Sequence, residues 1–180
     1  MYPQGLLLQA LLETNLRLLA QGLELLERLD ESIYPDRRVG AQFRHILDFY
    51  ECFTGGLTCG RIDYNARRRD EAVEKRRSEG IARLRALSVR LARYSLPADD
   101  SVLLVRPEDM EELAVSDQWI ASSAARELQF LLSHTTHHYA LIGFALQAIG
   151  VPVDPDFGVA PSTLLYRKSQ QERKAVPCAL

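Results

Sequence analysis

A chain of 180 residues that is 47% hydrophobic and 26% charged has the composition of one globular domain with a buried core. Its formal net charge of −2 excludes a general electrostatic attraction to nucleic acid or to an anionic membrane. No signal peptide and no transmembrane helix are expected, because the first leucines follow no basic region and no run of about 20 apolar residues occurs. Three cysteines without a CxxC pair are typical of reduced thiols, so we expect a cytoplasmic protein.

Four stretches have the apolar periodicity of amphipathic helices. They are residues 4–29, about 39–57, about 70–94 and about 122–150. The first break contains Pro35, and Gly150 followed by Pro152 ends the last stretch. Four helices of this length predict an all-α fold, an antiparallel four-helix bundle that occupies residues 1–180 as one domain.

Two segments outside the helices predict less regular structure. Residues 101–106 and 112–116 are β-prone and flank a Pro-Glu-Asp turn, which indicates a small hairpin or extended excursion between the third and fourth helices. Residues 151–180 are expected to form an irregular C-terminal tail that packs on the bundle.

Charge is distributed unevenly along the chain. Residues 61–93 contain eleven Arg or Lys against five acids, and residues 99–117 contain seven acids against one Arg. A basic stretch of this kind is typical of a solvated helix face. A nucleic-acid surface would need aromatic side chains between the basic ones, and this helix offers only Tyr94 at its end, so no nucleic-acid partner is expected.

Three of the four histidines lie within five residues of the fourth predicted helix. At 100° per residue, His134 lies about 40° from His138 on the apolar arc, whereas His137 lies about 100° away at its margin. His134 and His138 are therefore neighbours on one buried face. Two such imidazoles repel each other when protonated and are costly to bury without partners, and a divalent metal resolves both problems.

The remaining histidine, His45, lies at the edge of the apolar face of the second predicted helix and can reach a neighbouring helix. With His134 and His138 it would form a three-histidine site with open coordination positions. The alternative is that all three are core or surface histidines satisfied by ordinary hydrogen bonds.

Several neighbours are candidates for supporting roles in this pocket. Gln42 and Asp48 lie near His45 along the second predicted helix. Gln42 could form a hydrogen bond in the pocket, and the Asp48 carboxylate could orient a histidine ring or bind water. Glu127 faces inward about 10 Å from His134, too far to share a metal. It could support the site as a carboxylate behind the ligands, or it could pair with an arginine of the third predicted helix. His137 is expected at the rim. The Asp63-Tyr64-Asn65 turn could lie over the mouth of the site or simply lead into a helix.

These motifs resemble the DinB-like (DinB/YfiT) metalloenzyme superfamily. The resemblance covers most of the chain and depends on "VGAQFRHILDFY", which carries His45, and on "RELQFLLSHTTHHYALIG", which carries His134, His137 and His138. It implies a four-helix bundle in up-down-down-up order, a nickel or zinc ion held by His45, His134 and His138, and a homodimer. The sequence departs from the family at Gln42 and Phe49, where related members often carry further histidines.

The resemblance implies a metal-dependent transferase acting on a small-molecule thiol, or a hydrolase. The alternative is a non-catalytic stress-linked or interaction protein in which the metal is structural or absent. No phosphate-binding glycine loop, GxSxG, HExxH or EF-hand pattern indicates another chemistry.

Overall fold

The computed structural model describes residues 4–36, 38–94, 102–106 and 118–175. These residues form mainly helices, together with one small sheet. The helices are α1 (Gln4–Arg28), α2 (Ile33–Asp36), α3 (Val39–Gly56), α4 (Glu71–Lys75), α5 (Arg77–Ala92), α6 (Ala124–Gln147) and α7 (Pro161–Ala175). The strands are β1 (Arg61–Asp63), β2 (Val102–Arg106) and β3 (Ile120–Ser123).

The predicted helical fold is confirmed, and three of the four long helices lie within a few residues of their predicted bounds. The first and second predicted helices are α1 and α3, and the fourth is α6. Helix α6 begins two residues later than predicted, because residues up to Ser123 belong to β3 and the Ser123 side chain caps the helix by accepting a hydrogen bond from the Arg126 amide.

The third predicted helix is divided into α4 and α5. Arg76 between them has extended backbone angles (φ −122°, ψ 116°). Tertiary contacts hold both sides of this break. The Tyr34 hydroxyl donates to the Val73 carbonyl (2.7 Å), and the Arg77 guanidinium donates to Glu31 and to the Leu26 carbonyl (both 2.8 Å). The uninterrupted helix predicted from periodicity is therefore wrong at Arg76.

The long helices enclose the hydrophobic core. Helix α1 packs against α5 and α6, and α3 packs against the same two helices. The largest fully buried side chains come from these long helices and from α2. They include Tyr34, Phe43, Tyr50, Phe53, Leu84 and Tyr139. None of the helices in the described ranges combines the length and apolar content needed to span a membrane.

A buried asparagine connects three of the helices. The Tyr50 hydroxyl of α3 donates to Asn15 Oδ1 of α1 (2.6 Å), and Asn15 Nδ2 donates to the Leu128 carbonyl of α6 (3.1 Å). Because an unpaired amide would be costly at this depth, the network specifies one register of α1 against α3 and α6.

The three strands form a sheet in the order β1-β2-β3. Strand β2 confirms the predicted β-prone segment 101–106 at Val102–Arg106. It pairs in parallel with β1 and antiparallel with β3. The small extended excursion expected beside the helices is therefore part of a three-stranded sheet, in which neither β1 nor β3 was predicted as a strand. The second predicted segment, 112–116, lies outside the described residues.

The C-terminal segment is only partly irregular. Residues 151–160 pack on α6 without regular structure, and the Phe157 ring stacks on Tyr139 with ring centroids 4.5 Å apart. Residues 161–175 form α7, which corrects the prediction of an irregular tail. Pro161 is its first residue, a position where the fixed φ of proline favours helix initiation.

The basic stretch at 61–93 is partly explained by ion pairs within the chain. In α5, Arg77 pairs with Glu31, Arg83 pairs with Glu51, and Arg85 pairs with Glu27. The arginines of this helix thus contact carboxylates of α1, of α3 and of the segment after α1. Such partly exposed pairs contribute little stability individually, and they favour this arrangement of the helices over others.

Gly22 tests the packing of α1 on α6. A Cβ atom at this buried helical position would lie 2.0 Å from the Tyr139 hydroxyl oxygen, so we expect Gly22→Ala to lower the free energy of unfolding by about 1–3 kcal/mol. Gly55→Ala is the matched control, because no atom lies within 4 Å of its added Cβ and alanine is the better helix former. Urea denaturation of both variants measures the difference; equal effects would contradict the packing described here.

Candidate metal centre

Three histidine side chains converge between α3 and α6. His45 Nε2 lies 3.1 Å from His134 Nε2, which lies 3.1 Å from His138 Nε2. All three ligand atoms are within 4.8 Å of one another, and the three residues are half-buried. The structure thus brings together the three side chains that the sequence singled out, one from α3 and two from successive turns of α6.

Ordinary hydrogen bonds do not satisfy this arrangement. A ring nitrogen of a neutral imidazole carries either one proton or one in-plane lone pair, so it forms one well-aligned hydrogen bond. His134 Nε2 nevertheless faces two other ring nitrogens at hydrogen-bonding distance. Its Nδ1 atom is also buried and has no hydrogen-bond partner among the described residues. A shared cation would remove the conflict at Nε2.

Gln42 determines which nitrogen of His138 faces the centre. The Gln42 Oε1 atom contacts His138 Nδ1, and an amide oxygen only accepts, so Nδ1 donates. The Nε2 atom of the neutral ring therefore presents its lone pair to His45 and His134. A hydrogen bond of this kind behind a histidine is typical of metal ligands, and it agrees with the predicted supporting role of Gln42.

The surroundings keep all three rings neutral. Burial, together with the adjacent His138 and His45, lowers the pKa of His134 to about 3. Burial and the neighbouring histidines lower the pKa of His138 to about 4. Burial also lowers the pKa of His45, with the Arg67 and Arg44 guanidinium groups acting in the same direction. Neutral imidazole is the form that binds a metal ion.

The donor set fits a divalent ion. Imidazole nitrogens bind zinc at about 2.0–2.1 Å, so two of them at an angle of roughly 90–110° lie about 2.8–3.4 Å apart. The two 3.1 Å separations fall within this range. His45, His134 and His138 could therefore hold a metal ion.

The histidines adjoin an open cavity of about 550 Å³. His45 and His134 line it together with aromatic side chains and with the sheet. The Phe49 ring lies 4.4 Å from the His134 ring and stacks on Tyr64 at 5.1 Å (centroid distances). Phe130 stacks on His134, with ring centroids 5.5 Å apart. Tyr64, from the Asp63-Tyr64-Asn65 turn, thus forms part of the cavity lining.

Glu127 also lines this cavity. Its hydrogen-bond partners differ from the one that the sequence predicted. Its carboxylate accepts hydrogen bonds from the Tyr64 hydroxyl (2.7 Å) and from the Ser122 hydroxyl. The Arg126 guanidinium, on the same helix, lies 3.5 Å from this carboxylate. The predicted pairing with an arginine of the third helix is therefore not found among the described contacts. Glu127 instead ties α6 to the segment after β1.

Asp48 and His137 are not part of the group formed by His45, His134 and His138. The buried Asp48 carboxylate accepts from the Arg44 guanidinium (3.3 Å) and from the Arg69 amide (3.2 Å), and none of its recorded contacts in the described ranges is with a histidine ring. It holds the loop before α4 against α3. His137 is exposed, as the helical wheel predicts for the margin, and its ring centroid lies 5.4 Å from that of His138.

Sequence reasoning did not identify Phe130 and Ser122 as parts of the site. Phe130 precedes His134 by four residues, so the same helical spacing that pairs His134 with His138 could have found it. Ser122 lies on β3, and its position depends on pairing between β2 and β3, for which the local sequence carries no signal.

Comparisons of this chain with protein-family models, with curated proteins and with solved structures found no match.

The lowered histidine pKa values predict acid sensitivity of the metal-free protein. Unfolded histidines titrate near pH 6.5, whereas folded His134 and His138 titrate at about 3 and 4, so the unfolded chain binds more protons between these limits. The free energy of unfolding should be highest above about pH 6.5 and should decrease as the pH falls toward 4. Urea denaturation in a chelator over this range measures it.

His134→Gln should flatten this pH dependence, because it removes the group with the most strongly lowered pKa of the three. His137→Gln, at an exposed position on the same helix, should leave the slope close to that of the wild type. An unchanged slope in His134→Gln would contradict the assignment.

Proposed function

We propose that this chain is a divalent-metal-binding protein of the DinB-like kind, with His45, His134 and His138 as the ligands and an open coordination position facing the cavity. The observation that carries the proposal is the convergence of three neutral imidazoles on one point, where hydrogen bonding leaves His134 Nε2 in conflict. Nickel or zinc is the proposed ion, since imidazole suits both.

We also propose that the four long helices form the up-down-down-up bundle of that family. Contacts between helices support this order. Asn15 meets Leu128, and Gly22 meets Tyr139, so α1 and α6 run in the same direction. Gln42 meets His138, whereas Phe49 meets Phe130, so α3 runs against α6.

A catalytic role is favoured over a structural one by the donor set and the cavity. Structural zinc sites use four protein ligands, and among the described residues only three side chains converge here. A divalent ion held there would supply Lewis-acid chemistry, polarising a bound substrate and making a nucleophile available at neutral pH. Transfer involving a small-molecule thiol and hydrolysis are the two proposed reaction classes.

The residues of the chain have definite tasks in this proposal. Gln42 holds the His138 ring in the tautomer that presents Nε2 to the centre. Phe49 and Phe130 pack against His134 and form the aromatic part of the cavity wall beside the centre. Tyr64 and Glu127 line the cavity as a hydrogen-bonded pair that can contact a bound molecule. A homodimer and a cytoplasmic location remain predictions.

Metal analysis of the protein purified without a histidine tag tests the proposal. The wild type should bind about one equivalent of nickel or zinc, and His134→Ala and His138→Ala should weaken binding roughly 100-fold or more, because each removes a ligand. His137→Ala is the matched control and should bind as the wild type does. Negligible metal in the wild type, or equal binding by all variants, would overturn the metal site. Thiol-transfer and ester-hydrolysis assays on the same metal-loaded proteins test catalysis, with activity expected in the wild type and His137→Ala only.

Gln42→Ala should weaken metal binding by roughly 10–100-fold without removing a ligand, because the His138 ring loses the hydrogen bond that fixes its orientation. Isothermal titration with zinc measures this loss. Gln42→Glu restores an acceptor at the same position and should recover much of the affinity. If Gln42→Ala binds zinc as tightly as the wild type, the contact has no role in the centre.

A further inference from the structure

The cavity beside the histidines has the features of a small-molecule site. Its volume of about 550 Å³ lies within the usual range for ligand pockets. Part of its lining is the proposed metal centre, through His45 and His134, and another part is the carboxylate of Glu127. A molecule that fills the cavity therefore contacts both the centre and a buried anion.

Glu127 is unusual because it is an acidic side chain that is almost completely buried and still part of the cavity wall. Its side chain is 3% exposed. A carboxylate has about four acceptor positions, and the hydroxyl groups of Tyr64 and Ser122 occupy two of them. Both of these donors are neutral, so they solvate the carboxylate without balancing its charge.

Among the described residues, Arg126 and Arg106 line the cavity, and the Arg67 guanidinium lies over the Phe49 ring, 4.8 Å from its centroid. The Arg126 guanidinium lies 3.5 Å from Glu127, but its side chain is 67% exposed, so solvent screens the pair. Arg106 also lines the cavity, and its guanidinium pairs with Asp63 at 3.1 Å. A buried carboxylate with a screened partner favours a ligand that brings a cation and donates a charge-assisted hydrogen bond.

The rest of the lining indicates what the cation is attached to. The rings of Phe49, Tyr64 and Phe130 lie with their centroids 5.1–5.8 Å apart. Ile120 and Val105 of the sheet add further apolar surface. A flat apolar body packs well against rings at these separations.

We propose that the cavity binds a small organic amine, with its ammonium group on Glu127 and its apolar body against Phe49 and Phe130. The molecule then extends toward His45 and His134. This inference rests on the proposed function only where it makes the amine a substrate of the metal centre, and binding to the cavity does not require a metal. Glu127 acts as the residue that determines specificity for an amine.

Three probes that share one ring and differ in their head group test the proposal. These are benzylamine, benzyl alcohol and benzoate, titrated into metal-free and zinc-loaded protein and followed by isothermal titration and by NMR contacts to the Tyr64 ring. In the wild type, benzylamine should bind at least tenfold more tightly than either of the other two. Glu127→Gln keeps an acceptor for Tyr64 and removes the charge, so it should abolish this preference. Glu13→Gln, an exposed acid on α1, is the matched control and should keep it.

The outcomes separate the amine site from the metal centre. If the wild type binds no zinc but still prefers benzylamine in a manner that depends on Glu127, the cavity assignment stands and the proposed function fails. If benzoate or benzyl alcohol binds as tightly as benzylamine, or benzylamine does not bind, the amine assignment is overturned. The same conclusion follows if Glu127→Gln keeps the wild-type preference. The selectivity of the wild type alone can refute the proposal, so the test remains decisive even if Glu127→Gln does not fold.

Discussion

Three imidazole nitrogens face one another across the interface between α3 and α6, and this contact requires that the surrounding packing hold the two helices in one register. Two of the separations are 3.1 Å, which is too close for rings that carry positive charge. Burial keeps the rings neutral, and the Gln42 contact aims one lone pair at the centre. The helices have to hold this geometry, because a small rotation of α6 would separate His134 from His45. The Asn15 network and the contact between Gly22 and Tyr139, on other faces of these helices, keep α6 in the required register.

The small sheet converts the histidine cluster into a site with a cavity. Strand β3 leads directly into α6 and places Ser122 beside Glu127. Tyr64 follows β1, 63 residues before Glu127 in the chain, and donates a hydrogen bond to the same carboxylate. Without these segments the histidines would lie at an open helix interface. With them, the centre adjoins an aromatic cavity in which a buried carboxylate can select the ligand.

The third predicted helix is divided in the segment that follows Tyr64, and contacts with α3 hold this segment in place. Asp48 on α3 accepts the Arg69 amide, and Asp70 caps α4 by accepting the Ala72 amide. These contacts hold the chain between β1 and α5 close to α3, so that Tyr64 can reach α6. An uninterrupted helix would lack the extended residue at Arg76 that allows the change of direction. Local helical preference is weaker than such a set of tertiary contacts.

The amino-acid sequence by itself determined three of the long helices and the direction of the histidines on α6. Apolar periodicity located α1, α3 and α6 within a few residues, and the wheel of α6 placed His134 and His138 inward with His137 at the margin, because helical geometry relates residues three and four apart. Only the tertiary structure decided whether His45 arrives at this pair, where β1 and β3 form, and that Glu127 pairs with Tyr64 and Ser122. Most of these features join residues far apart in the chain, and the contact between Ser122 and Glu127, five residues apart, depends on the pairing of β3 with β2. Their positions depend on strand pairing and side-chain packing between elements, for which no short stretch of sequence carries the information.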